Sequence, residues 1–209
     1  MARFSYNIRS HSATRSLARP LLPHDSTRLE FAWSYTPAPS PSDGREGRED
    51  HLYFMGYWYP QVAVYDDVNG WVADPYLNGA EFYMDPADYD VRVTVPHGWV
   101  VDATGTLQNG AAILSAAARD SLAAARHAGR LVRVLTPGAA AARVFRPGGA
   151  ITTWHFVAHD MRDFAWGTSD QYAWDATRAL VNGGRDTVAI YSFFRLTAAA
   201  AAWRLGGAR

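Results

Sequence analysis

The clearest hydrophobic pattern lies in residues 27–36, TRLEFAWSYT. Leu29, Phe31, Trp33 and Tyr35 alternate there with Arg28, Glu30, Ala32 and Ser34. Side chains of a strand point to opposite faces at every step, so this alternation predicts a half-buried strand. Residues 37–50, PAPSPSDGREGRED, are dominated by Pro, Ser, Gly and charge and predict a solvated loop. Residues 51–56, HLYFMG, restart a strand. Residues 88–95, DYDVRVTV, place Val91, Val93 and Val95 on one face. Pro96, His97 and Gly98 then make a turn, and WVVDATGTLQ continues as a second strand, giving a meander. Residues 111–128, AAILSAAARDSLAAARHA, change the period. Ala favours helix, and Ile113, Leu114, Ala117, Ala118, Leu122 and Ala125 approximate one stripe, with Gly129 as a stop. Strands are predicted again at 131–136, 151–159, 164–169 and 187–194. Residues 137–149 read as a loop and 198–205 as a short helix.

Asn69, Asn78, Asn109 and Asn182 each precede Gly. Asn-Gly supplies the positive φ angles of tight hairpins, so these four sites predict turns. Strand follows strand across short connections. The predicted fold is therefore mainly β, an antiparallel β-sandwich or curved sheet with one inserted helix.

Residues 57–90 stand apart from this regular pattern. YWYPQVAVYDDVNGWVADPYLNGAEFYMDPADYD is crowded with aromatics, Asp, Asn-Gly and Pro. Such composition fits a backbone that turns often while packing on something large. With 209 residues the chain has room for one domain or slightly more. Its 8 Trp and 11 Tyr favour β-rich layers or contact surfaces. The 20 basic residues besides His are all Arg and face 20 carboxylates, which gives no charge bias toward nucleic acid. Cys is absent, so disulfides, thiolate zinc sites and Cys nucleophiles are excluded. No stretch is long and apolar enough for a transmembrane helix. The first residues, MARFSYNIRSHSATRSLARP, lack the apolar core of a secretory signal; they are acid-free like transit peptides but form no amphipathic face.

Candidate chemistry is sparse. His155 and His159 have the i, i+4 spacing of a zinc motif, but Phe156, Val157 and Ala158 lie between them, with no Glu base. In a strand four residues span about 13 Å, too far for one shared ion. Asp66, Asp67 and Asn69 with Gly70 resemble part of a calcium loop, yet Glu81 is out of register for the bidentate ligand. The plainer reading is a turn whose Asp side chains accept from backbone amides. Tyr57, Trp58 and Tyr59 are candidates for a stacking platform or for interdomain packing. An unpartnered run of this kind would expose a large apolar patch. Asp160, Arg162 and Asp163 read as a structural ion pair at a strand end, and Ser169 does not meet G-x-S-x-G.

Four segments carry a family resemblance. They are RPLLPHDSTRLEFAWSYT (19–36), YWYPQVAVYDD (57–67), DYDVRVTVP (88–96) followed by WVVDATGTLQN, and WHFVAHDMRDFAWGTSDQYAWDA (154–176). In that order they are similar to the N-terminal β-domain of zinc metallopeptidases of the aminopeptidase N and leukotriene hydrolase group, in its bacterial branch. The resemblance implies a saddle-shaped β-domain that packs on a catalytic domain and shapes its substrate cleft. It makes Tyr57, Trp58, Tyr59, Gln61, Asp66 and Asp67 candidates for the cleft or the domain interface. The family's zinc is held by H-E-x-x-H and a later Glu, and this chain contains no H-E-x-x-H. Zinc is thus expected in a missing catalytic domain and no cofactor in this chain. Many members carry Gln before the W-Y-P tripeptide, where this chain has Tyr57, so that substrate contact is not carried over.

The resemblance divides the chain into a poorly defined segment 1–18, a partial β-domain 19–197, and residues 198–209 as a C-terminal tail or the start of the missing domain. The expected partners are that catalytic domain and, in the parent, a peptide; the parent is expected to be exported or periplasmic. The favoured function is non-catalytic, shaping the parent's cleft. The alternative is a stand-alone β-sandwich module binding peptide or glycan through residues 57–71. An independent enzyme using Asp or His is the third class.

Overall fold

The computed structural model describes residues 5–7, 12–14, 16–17, 19–40, 45–72, 83–136 and 144–196. The Asn78 turn, Glu81, residues 137–143 and the 198–205 helix lie outside the described residues. In chain order the strands are β1 (Ser5–Asn7), β2 (Ser12–Thr14), β3 (Glu46–Glu49), β4 (Leu52–Met55), β5 (Tyr65–Asp66), β6 (Gly70–Trp71), β7 (Ala87–Pro96), β8 (Val100–Ala103) and β9 (Thr106–Leu107). Helices α1 (Gly110–Ile113) and α2 (Ala116–His127) follow. Then come β10 (Val132–Leu135), β11 (Ile151–Met161), β12 (Trp166–Ser169), β13 (Tyr172–Val181) and β14 (Asp186–Arg195). The fold is mainly β and antiparallel, with one inserted helical segment.

Three sheets enclose the core, in the orders β7-β11-β9, β3-β4-β12-β8 and β10-β13-β14, while β1 pairs with β2 and β5 with β6. β11 shows why alternation matters. Thr152, Trp154, Phe156 and Ala158 are buried, and their neighbours in sequence are more exposed. In register with β7, Trp154 lies opposite Val93 and Phe156 opposite Val91. The core gathers Val93, Val100, Val101, Leu114, Phe145, Trp154, Phe164 and Trp174, with Ala118 of α2 beneath the helix. Burying large aromatic and aliphatic side chains at this density supplies most of the driving force for folding.

Several expectations need correction. Residues 27–36 form no ladder, and Leu29, Phe31, Trp33 and Tyr35 remain 42–48% exposed. The segment is tied down by side chains instead: Trp33 packs on Trp58 at 6.1 Å, and the Tyr35 hydroxyl donates to Glu46 at 2.5 Å. Burial and the neighbouring Glu46 carboxylate raise the Tyr35 pKa. Residues 37–50 are not all loop, because β3 pairs with β4 and Arg48 exchanges backbone hydrogen bonds with Ala38 and Ser40. The meander is also absent. β7 pairs with β11 and β8 with β12, so the chain changes sheets at the Pro96–Trp99 turn. Val100 and Val101 are both buried, as befits a strand covered on both faces.

The single helix is split. Leu114 is extended and bridges to Phe145, and the Ser115 side chain accepts from the Ala118 amide at 3.2 Å. Ser is a strong N-cap, so it starts α2 where the Ala-rich pattern runs on unbroken. Asn182 and Gly183 do turn the β13–β14 hairpin with φ of 53° and 68°. Asn109 instead precedes α1 with φ −103°, and its side-chain amide donates to the Thr153 carbonyl.

The β8–β9 turn requires glycine. Gly105 has φ +91°, and a Cβ there would lie 2.5 Å from the Val157 carbonyl oxygen. Gly105→Ala is expected to destabilise the fold by about 1–3 kcal/mol through strain and backbone displacement. An unchanged midpoint in urea unfolding would contradict that close approach.

Candidate functional site

The predicted residues Tyr57, Trp58, Tyr59 and Gln61 follow β4 and are half-buried, so they form a packed bracket and not an open platform. Tyr57 has φ +55°, an uncommon backbone for an aromatic residue, and the Arg45 guanidinium lies 5.8 Å from its ring centroid. The Trp58 indole donates to the Phe164 carbonyl at 2.9 Å and meets Trp166 edge-on at 6.2 Å. This hydrogen bond links residues 106 apart in sequence.

A polar knot sits beside it. Gln61 Nε2 donates to Asp163 Oδ1 at 2.9 Å and lies 2.7 Å from the Tyr59 hydroxyl. That hydroxyl is 3.2 Å from Asp163 Oδ1 and 2.8 Å from the Tyr89 hydroxyl. Tyr59 has one proton to give. It points to the Tyr89 oxygen at the shorter distance, 2.8 Å, with the Asp163 carboxylate at 3.2 Å as the second acceptor. Burial first, then the Tyr89 hydrogen bond and the Asp163 charge, push the Tyr59 pKa up. Asp163 is thus the hub of the site. The expected Arg162–Asp163 ion pair gives way to this arrangement, and Arg162 instead donates to the Met84 carbonyl at 2.6 Å.

Next to the knot, the four-stranded sheet carries a cleft of about 640 Å³. Phe54, Gly167 and Asp102, successive cross-strand partners, line it, and Gly47 follows Phe54 in the same row outside the cleft. The two glycines make room for side chains. A Cβ on Gly47 would lie 2.5 Å from the Phe54 ring, and one on Gly167 would lie 3.0 Å from the Tyr172 hydroxyl. Tyr57, Trp166 and Tyr172 complete aromatic walls, and Asp163 reaches the rim.

Asp102 has an accessible edge on the cleft, yet protein surrounds its carboxyl closely enough to raise its pKa to about 6 by desolvation, against a smaller opposing effect of the Ala103 backbone. Tyr172 is raised to about 12 by burial and by the Asp102 charge, partly offset by Arg195. An acid whose folded pKa is raised is better protonated in the folded state. Its ionisation therefore destabilises the fold as pH rises from the ordinary carboxylate range toward 6. The expected outcome for Asp102→Asn is a flatter stability–pH profile between about pH 4 and 6, read by urea midpoints. A profile parallel to the parent chain would contradict this assignment.

Asp66 takes the turn role. Its Oδ1 accepts from the Val68 and Asn69 amides, and its Oδ2 from the Tyr83 hydroxyl at 2.8 Å. The Asn69 amide is the largest cause of a pKa near 2, followed by Tyr83. Asp67 is exposed and makes no hydrogen bond among the described residues. These two acids lie on the β5–β6 hairpin and are not brought into the Asp163 knot. The exposed apolar side chains of this region are Val62, Tyr65, Val68 and Trp71, not the 57–59 run.

His155 and His159 are not placed to share a zinc ion. His155 Nε2 faces Asp90 at 3.0 Å, and His159 Nδ1 faces Asp88 at 3.2 Å, so each imidazole has its own carboxylate along β11. Among the described residues no group of three His, Asp or Glu is placed to hold a metal. Ser169 is fully buried and accepts from the Gln171 amide. No helix of the described residues is long and apolar enough to cross a membrane.

No family model, curated protein or solved structure matches the chain. Asp163 and Asp102 were the residues that sequence patterns left in the background. One signal for each was present: an acid directly before the Phe164–Trp166 aromatic run, and an acid interrupting the apolar Val100–Val101 strand.

Proposed function

We propose that the chain is a non-catalytic β-domain of a zinc aminopeptidase-like metallopeptidase and lines part of that enzyme's substrate cleft. One observation carries this reading. Tyr59 and Gln61, Tyr89, and Asp163 with Phe164 come from three of the four segments that bear the family resemblance, and they meet in one hydrogen-bonded knot. The adjoining cleft offers aromatic walls and two carboxylates, chemistry suited to a peptide with a free amino terminus. Zinc and its H-E-x-x-H ligands belong, in this proposal, to a separate catalytic domain.

The aromatic cleft also favours the second reading, a self-sufficient module that binds peptide or glycan. Titration of the full chain with a tripeptide amide, followed by NMR, tests the shared part of both. Expected are saturable shifts at Phe54, Tyr57 and Tyr172 and no hydrolysis with or without added zinc. Chelator-sensitive hydrolysis by the chain alone would overturn the non-catalytic role. Absence of any shift at those rings would remove the cleft-wall role.

A further inference from the structure

A second cavity, about 840 Å³, lies between α2, β11 and the β13–β14 hairpin. Its size is within the range of small-molecule sites, about 300–1,000 Å³. Trp154, Phe156, Trp174 and Phe193 give it an apolar interior. Arg119, Leu122, Ala123 and Arg126 line it from the helix. Their spacing of i, i+3, i+4 and i+7 puts them on one helical face, so the two guanidiniums share the cavity side of α2.

The unmatched polar groups there are mostly donors. Trp154 and Trp174 are 1% and 3% exposed, and neither indole N–H has an acceptor. A buried indole N–H ordinarily finds one. Arg119 and Arg126 have no ion pair or hydrogen bond from their side chains among the described residues. Gln108 donates to the Thr106 carbonyl and His159 faces Asp88, so those two are matched. Asp102 is the one carboxylate on the wall and borders the first cleft as well.

We infer that this cavity binds an amphiphilic monocarboxylate of the fatty-acid class, with its chain along the aromatic interior and its carboxylate taken by Arg119 and Arg126. An apolar body with an anionic, acceptor-only head is the complement of such a lining. The inference concerns a different cavity from the proposed peptide cleft and stands or falls independently of it.

The test is calorimetric and fluorescence titration of the full chain with oleate below its micellar concentration, beside oleyl alcohol as the uncharged analogue. Expected is saturable one-to-one oleate binding that changes tryptophan emission, with the alcohol at least about tenfold weaker, the equivalent of about 1.4 kcal/mol. Arg119→Gln/Arg126→Gln, at exposed helix positions, is expected to weaken oleate about tenfold or more while leaving alcohol binding unchanged and the near-UV circular dichroism intact. No saturable oleate binding, or equal binding of acid and alcohol, would overturn the inference. So would full retention of oleate binding in the double Arg variant.

Discussion

Arg133→Ala is expected to cost about 3–5 kcal/mol of stability, the range for stranding one member of a buried ion pair. Asp175 sits in the middle of β13 at 3% exposure, and Arg133 of β10 grips it through Nε and, at 3.0 Å, through Nη2. Removing the Arg leaves a carboxylate inside a three-stranded sheet without its partner. The reverse change is milder. Arg133 retains 33% side-chain exposure, so Asp175→Asn leaves a cation that water still reaches. The two variants are thus expected to differ, with Arg133→Ala the worse, in equilibrium urea unfolding. Equal and small losses would show that the pair does not hold β10 to β13.

Trp154→Ala is expected to cost about 3–5 kcal/mol, as for other buried Trp truncations. The ring meets Phe145 edge-on at 5.9 Å and stacks with Phe156 at 6.3 Å. It also borders an existing cavity, so truncation enlarges a space that neighbours cannot readily close. Trp33→Ala is the control. Trp33 is 48% exposed on a segment with no ladder, and its loss is expected to cost under about 1 kcal/mol. A similar loss from both variants, measured by thermal and urea unfolding, would contradict the placement of the core.

Much of the fold was legible in the sequence where one face of a strand is buried and the other is wet. β7 and β11 are of that kind, and their valines and aromatics alternate as expected. β13 was not legible, because Tyr172–Ala176 is buried throughout and both faces of a central strand read alike. An acid at Asp175 further disguised it, its cost offset only by Arg133 from a distant segment. Residues 27–36 teach the converse. Alternation is present there, yet no ladder forms and every residue of the segment is exposed.

The candidate site was legible in part. The 57–61 run was marked by its aromatics, and its bracket-like packing follows from Trp58 reaching Phe164. Asp163 as hub was hidden, since its partners lie about a hundred residues away in sequence. Asp66 was readable as a turn acid because Asx turns are made within a few residues. Long-range polar knots have no such local signature. The proposed peptidase relationship rests on ordered segment similarity together with the convergence of three of those segments.

The DNA adjoining this reading frame in its genome tests that relationship most directly. The expected result is an in-frame continuation encoding H-E-x-x-H and a later Glu. Stop codons closing both sides of a message translated as it stands would contradict the peptidase role and leave the aromatic cleft to be explained as a binding site in its own right.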